Sequence, residues 1–346
     1  MSRAILKSSL AIIATVVVAA SAHAQRERGD WKLYYDAERQ RVQISFEDFD
    51  SRDWQTSTAL PVTSRTLEGI TIAQIEGPSS SVRFRLRRDA GTFNFEGSVG
   101  GGRGRGTFDF TANPSFRDEL ARRGYSRPSD EQQFQLAMHD VGFTFIDERR
   151  TQGYNRSSTS DLVRMGQHGV NYDFVHGLAS FGYKLRDTDD LVEFRDHGVT
   201  PAYINALRDA GYTRLASDKL VEMRDHGVTP DFISGLRAAG FGRMSEDELI
   251  RVRDHGVSAS YISGMKALGY NLSPEELVTA RDHGVTPAFA EGFRKLGYRD
   301  LSIDELIQLR DHGVSTSYAE RVRDRERSRP SISELIRSRD RGYYKF

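Results

Sequence analysis

The stretch Arg195-Asp196-His197-Gly198-Val199-Thr200-Pro201 decides the architecture of this 346-residue chain, because its core returns at a fixed period. Arg-Asp-His-Gly-Val stands complete at Arg195–Val199, Arg224–Val228, Arg253–Val257, Arg281–Val285 and Arg310–Val314, with looser copies around His168 and His139. The seven histidines follow one another at 29, 29, 29, 29, 28 and 29 residues, and one further step reaches Arg341. A period between roughly 20 and 50 residues marks a stacked repeat array. Such arrays work through an extended surface.

Working outward, Asp187 to Tyr212 reads as one helical hairpin. A first helix carries Leu191, Val192 and Phe194 and ends at His197-Gly198, where glycine suits the left-handed closing residue. Val199 buries the turn. Thr200 caps a second helix with Pro201 at its first position, and Tyr203, Ile204, Leu207 and Ala210 form its apolar stripe. Ser245/Glu248, Ser273/Glu276, Ser302/Glu305 and Ser331/Glu334 predict capping boxes, whereas Ala216/Lys219 lacks one. One position of the second helix stays small, at Gly177, Ala206, Gly235, Gly264 and Gly292. Glycine inside a helix costs about 1 kcal/mol relative to alanine, so a neighbouring helix is expected to pass close there. Arg321, Arg323, Arg325, Arg327 and Arg329 make the last hairpin polar, as a terminal cap requires.

Before the array, residues 31–112 alternate with period two. Val42, Ile44 and Phe46; Val82, Phe84 and Leu86; Phe93 and Phe95; and Phe108 and Phe110 are the apolar members. Asp89-Ala90-Gly91 and Gly100–Gly106 supply turn signals. The expected fold is α+β in two domains: a small antiparallel β module over 31–112, then an α-solenoid of about 29-residue hairpins over 113–346. A degenerate first repeat is expected near 130–154, about sixteen helices from Pro114, and a polar cap from about 315. The glycine stretch lacks the Lys-Ser/Thr pair of a phosphate loop and leads into a strand, so it reads as a flexible hairpin tip.

Residues 1–24 read as a signal peptide: Arg3 and Lys7, an apolar run Leu10–Ala20, then Ala22-His23-Ala24, with 25–30 as linker. The expectation is a periplasmic or secreted protein with no membrane span after cleavage. The chain has no cysteine, which excludes disulfides and thiol chemistry. Its 49 basic and 49 acidic residues balance, which argues against nucleic acid as a partner.

The histidine ladder invites a metal reading, and the spacing weighs against it. Equivalent residues on successive hairpins should lie about 8–10 Å apart, too far to share a zinc with ligands about 2 Å away. His168, His197, His226, His255, His283 and His312 instead read as structural, with the glycines Gly198, Gly227, Gly256, Gly284 and Gly313 closing the helices. Asp196, Asp225, Asp254, Asp282 and Asp311 sit unfavourably near a helix C-terminus. Their expected partners are the bases eleven residues after each histidine: Arg208, Arg237, Lys266, Arg294 and Arg323. Histidines protonated at these helix ends would make the array firmer in mild acid. Catalytic residues, metals and cofactors are not expected.

The unit Leu-Val-x-x-Arg-Asp-His-Gly-Val-Thr-Pro-x-Tyr-Ile-x-x-Leu-Arg-x-Ala-Gly-Tyr resembles repeats in the exported tails of bacterial antirepressor-type, penicillin-sensor-like membrane metallopeptidases, over about residues 114–343. The peptidase is not carried over, since the chain lacks His-Glu-x-x-His and multiple spans. The resemblance implies a sensor or partner surface in envelope signalling, with another envelope protein, such as a membrane metallopeptidase or sensor, as partner. The expected function is a non-enzymatic exported scaffold. The alternative is a module binding an envelope glycan or anionic polymer through Arg83, Arg85 and Arg87.

Overall fold

The computed structural model describes residues 28–48, 55–61, 64–154 and 157–342. Residues 1–24, read from the sequence as a signal peptide, lie outside them. The chain divides into two compact units, one ending at Gly142 and one beginning at Phe143.

The first unit is a seven-stranded antiparallel sheet that curls on itself. Its strands are β1 (Arg28–Asp36), β2 (Arg41–Asp48), β3 (Gln55–Pro61), β4 (Leu67–Glu68), β5 (Ser80–Arg88), β6 (Gly91–Gly100) and β7 (Arg103–Ala112), in the order β3-β2-β1-β7-β6-β5-β4. A short helix α1 (Ile72–Glu76) interrupts the meander. Strand β1 starts three residues inside the expected linker, because Gly29 packs against the Phe108 ring and Trp31 is buried. The alternating apolar residues meet on one face, where Trp31, Phe46, Phe84, Phe93, Phe95 and Phe108 form one aromatic cluster.

The glycine stretch is only in part a hairpin tip. Gly101 and Gly102 make the turn at φ +58° and +79°. Gly104 and Gly106 lie within β7, where a Cβ on Gly104 would stand 2.8 Å from the Trp31 ring and one on Gly106 2.0 Å from the Glu96 carbonyl. The glycines therefore make room for the tryptophan and for close strand approach.

Sixteen helices follow from Pro114 among the described residues. Two of them, α2 (Pro114–Arg122) and α3 (Asp130–Met138), belong to the β unit and not to the array. Phe134 of α3 reaches the Phe93 and Phe110 rings, and the Gln133 amide donates to the Ala90 and Asn113 carbonyls at 2.7 and 2.8 Å. The degenerate first hairpin is thus divided, its first helix being recruited by the sheet.

The second unit begins with α4 (Phe143–Thr151) and continues as hairpins. The first helices, here the A layer, are α5 (Thr159–Gln167), α7 (Thr188–Asp196), α9 (Ser217–Asp225), α11 (Glu246–Asp254), α13 (Pro274–Asp282), α15 (Ile303–Asp311) and α17 (Ile332–Asp340). The second helices form the B layer with α4: α6 (Tyr172–Ser180), α8 (Pro201–Asp209), α10 (Pro230–Ala238), α12 (Ala259–Ala267), α14 (Pro287–Lys295) and α16 (Thr316–Glu326). Consecutive helices of one layer pack together, as in α9 with α11 and α10 with α12.

Local chemistry sets these boundaries. All four expected capping boxes form, and Ala216 makes no side-chain cap. The small positions of the B layer meet the first residue of the next B helix: a Cβ on Gly264 would stand 2.7 Å from Pro287 Cγ, and one on Gly177 2.6 Å from Pro201 Cγ. Few of these nine-residue helices would hold alone, so stacking supplies their stability. Among the described residues no helix is long and apolar enough to cross a membrane.

Candidate functional site

The ladder forms because α7, α9, α11, α13 and α15 end with Asp-His-Gly, while α5 ends with Gln167-His168-Gly169 and supplies only the histidine, and α17 ends with Asp340-Arg341-Gly342 and supplies only the aspartate. Gly198 closes α7 at φ +71°, and its equivalents Gly227, Gly256, Gly284 and Gly313 do the same at +64° to +73°. That turn leaves the imidazole facing the next A helix. There Asp225, the last residue of α9, accepts from His197 Nδ1 at 2.6 Å. Five more rungs repeat the bond: His168–Asp196 at 2.7 Å, His226–Asp254 at 2.8 Å, His255–Asp282 at 2.7 Å, His283–Asp311 at 2.7 Å and His312–Asp340 at 2.9 Å.

This overturns the expected aspartate partners. Each aspartate reaches the histidine of the preceding hairpin, while the bases eleven residues on lie at the far ends of the B helices. Arg208 stacks on Phe181 with its guanidinium 5.0 Å from the ring centre, and Arg237 and Lys266 donate to the carbonyls of Ala210 and Ala239. Arg323 pairs with Asp324 and Glu320, and Arg294 has no ion pair with any of these aspartates. A signal for this was in the sequence: where Arg341 replaces the last histidine, Asp340 remains, and it accepts from His312 of the hairpin before it.

The chemistry of a rung follows from its geometry. A carboxylate only accepts, so Nδ1 carries the hydrogen and Nε2 is the nitrogen that titrates. The imidazoles are 38 to 43% exposed, so protons reach them without any opening of the stack. The Asp225 bond raises the pKa of His197, with Glu193 and Asp196 adding to it. The motif's arginine completes the junction. Arg224 stacks on Tyr203 of the preceding hairpin at 5.1 Å, and Arg253, Arg281 and Arg310 stack likewise on Phe232, Tyr261 and Phe289.

The looser copy at His139 behaves otherwise. It caps α3 in the β unit, where burial and the neighbouring Arg88 push its pKa down to about 4. Arg88 is itself buried, donating to the Met138 carbonyl at 2.6 Å, to the Ala137 carbonyl and to Thr58 Oγ1 at 2.8 Å, with Asp140 at 3.5 Å. Nothing in the periodicity announced this arginine.

The arginine stripe is exposed but largely answered. Arg83 meets Glu96 at 2.6 Å and Arg87 meets Glu68 at 3.2 Å, leaving Arg85 as the member without an ion pair among the described residues. The amides of Gly101 and Gly102 donate to the carbonyls of Gly77 and Ile75, so they offer no anion cradle.

One groove stands out along the A layer. About 620 Å³ lies between α7 and α9, lined by the acids Asp190, Glu193, Asp218, Glu222 and Asp225, by His226, and by the bases Lys184 and Arg186, the last of which pairs with Asp190. Arg164–Asp189, Lys219–Asp247 and Arg251–Glu275 bridge other A-layer junctions. The α7–α9 junction instead sets Glu193 and Asp218 at the groove, neither in an ion pair among the described residues. Among the described residues no group of three or more metal-ligating side chains is placed to hold an ion. Compared with known proteins, the chain matches no family model and no curated protein.

Proposed function

We propose that the protein is a non-enzymatic, exported interaction scaffold that offers the A layer of its helical array to another envelope protein. The observation that carries this reading is the unequal charge of the two layers. Helices α7, α9, α11 and α13 hold 14 carboxylates against 6 bases, whereas α8, α10, α12 and α14 hold 3 against 5. Capping boxes and first-turn acids account for part of that excess. The result is still one face of regularly repeated negative charge, which favours a partner segment bearing spaced lysines or arginines. Export rests on the signal-like residues 1–24, and a role in envelope sensing rests on the resemblance of the repeats to metallopeptidase tails.

Binding of an anionic glycan by the arginine stripe is the weaker reading, since Glu96 and Glu68 already hold two of its three arginines. Zero-length carboxyl-to-amine crosslinking in cells, read by mass spectrometry, separates the two. Links from Glu193, Asp218 or Glu222 to lysines of one envelope protein are expected. Recovery of the chain on cell-wall material, lost when Arg85 is neutralised, would replace the scaffold reading with the glycan one.

A further inference from the structure

The two layers of the array are tied together by different chemistry. In the B layer from α6 onward, four junctions rest on close packing of groups that do not titrate: Gly177 under Pro201, Gly235 under Ala259, Gly264 under Pro287 and Gly292 under Thr316. The α4–α6 junction before them differs, with His176 Nδ1 at 3.0 Å from Glu148 Oε1. Tyrosine hydroxyls add fixed bonds, Tyr203 to the Val228 carbonyl and Tyr261 to that of Val285, both at 2.9 Å. Burial pushes the Tyr203 hydroxyl up to about 12, so it stays a donor throughout the physiological range. In the A layer, six consecutive junctions carry a histidine–aspartate bond instead.

We propose that these six bonds form a one-sided, pH-sensitive clasp. In mild acid each imidazolium closes on the next hairpin's carboxylate, and as pH rises the A helices loosen while the B layer serves as their hinge. Neutral imidazole still donates Nδ1–H to the aspartate, so the change at each rung is from a charge-assisted bond to an ordinary one. The groups around a rung reinforce that direction. His197 faces Asp225 on α9 and Asp196 and Glu193 on its own helix, and His226 shares its groove with Asp218, Glu222 and Asp225. The nearby cations are Arg224 at Gly198, Arg310 at Gly284, and Lys184 and Arg186 lining the same groove as His226, and all of these remain charged between pH 5.5 and 8.

The sign follows from linkage. A histidine whose folded pKa is raised above its unfolded value, near 6.5, contributes its full stabilisation below that value and loses it as pH rises through the folded pKa. The clasp stands on this geometry alone. Its consequence for a partner rests on the scaffold reading: acid adds positive charge to the acidic face and holds its helices closer, so a cationic partner binds best above neutrality.

The chain has no cysteine, so paired spin labels can be placed cleanly on the full-length protein. Glu193→Cys with Thr279→Cys spans three A-layer junctions, and Ala202→Cys with Ala288→Cys spans three B-layer junctions; all four positions are exposed. The A-layer distance is expected to be shorter and narrower at pH 5.5 than at pH 8, with the B-layer distance unchanged. Asp225→Asn, Asp254→Asn and Asp282→Asn together should hold the A-layer distance at its pH 8 value at both pH values. An A-layer distance indifferent to pH in the native ladder, an equal change in both layers, or a full pH response in the triple variant would each overturn the clasp. A moving A-layer distance with no crosslinked partner would leave the clasp standing and sink the scaffold reading.

Discussion

His139 in the β unit and His197 in the array occupy equivalent places in the repeat and have opposite electrostatics. His139 caps α3 beside buried Arg88 and is pushed down to about 4, so it folds in the neutral form. His197 caps α7 at the surface and is raised by the carboxylate of Asp225 from the following hairpin. What separates them lies outside the motif: burial and Arg88 for His139, and for His197 the carboxylate 28 positions on. For His197 that position is Asp225; for His139 it is Gln167, which has no charge to offer. A repeat letter thus acquires its meaning from the copy that follows it.

The comparison breaks most visibly at Arg88. Arg88→Met should cost the β unit about 2–4 kcal/mol, because the carbonyls of Ala137 and Met138 lose their buried donor. Arg224→Met in the array should cost less than about 1 kcal/mol, the value of an exposed stack on Tyr203. Both tryptophans, Trp31 and Trp54, precede residue 142, so tryptophan fluorescence reports the β unit while helical circular dichroism reports chiefly the array. Equal losses by the two probes would refute the distinction.

The second test sets the two histidines against each other through pH. A histidine whose folded pKa lies near 4 contributes stability present above the unfolded value of about 6.5 and lost as pH falls toward 4. The shift corresponds to something on the order of 3 kcal/mol. Urea unfolding followed by fluorescence should therefore weaken between pH 6.5 and 4, and His139→Gln should flatten that slope. The array, followed by circular dichroism, should move the other way between pH 8 and 6, since His197 is raised. Parallel pH profiles would remove the idea that burial separates the two histidines.

Much of this architecture was legible because it is written in residues with narrow conformational uses. Gly198 and Pro201 bracket a turn, Ser245 and Glu248 open a helix, and the period joins such signals into a stack. What escaped depends on contacts that spacing does not encode. Phe134 draws α3 onto the sheet by ring contacts with Phe93 and Phe110, although its sequence continues the helical pattern. The Trp31 ring beside Gly104 and the Glu96 carbonyl beside Gly106 make strand residues of glycines that read as part of a hairpin tip. The eleven-residue offset points the aspartates to bases, across the hairpin or in the next unit, whereas their partner is the histidine of the preceding hairpin, 28 residues back for Asp225 and Asp254.

The B layer supplies a smaller effect. Gly264→Ala places a Cβ 2.7 Å from Pro287 Cγ, and the rigid ring cannot yield without shifting its helix. A loss of about 1–3 kcal/mol is expected despite alanine's better helix propensity. Gly235→Ala meets only the Ala259 methyl at 3.1 Å and should lose less. A reversed order in thermal melts would show that these glycines serve something other than close approach.

The smallest effect is also the sharpest test of the ladder. A double-mutant cycle on His226→Gln and Asp254→Asn isolates one exposed rung, where pairs of this kind contribute on the order of 0.2–1 kcal/mol. The same cycle on His197→Gln and Asp225→Asn, where the bond raises the histidine's pKa, should show a larger coupling at pH 5.5 than at pH 8. A cycle on Asp254→Asn and Lys266→Met serves as the internal control. Lys266 donates to the Ala239 carbonyl and lies 5.3 Å from the Phe241 ring centre, so its effect should simply add to that of Asp254. Coupling in the control cycle and none in the two histidine cycles would return the aspartate to a partner within its own hairpin. The inter-hairpin ladder would then lose both its geometry and its pH dependence at once.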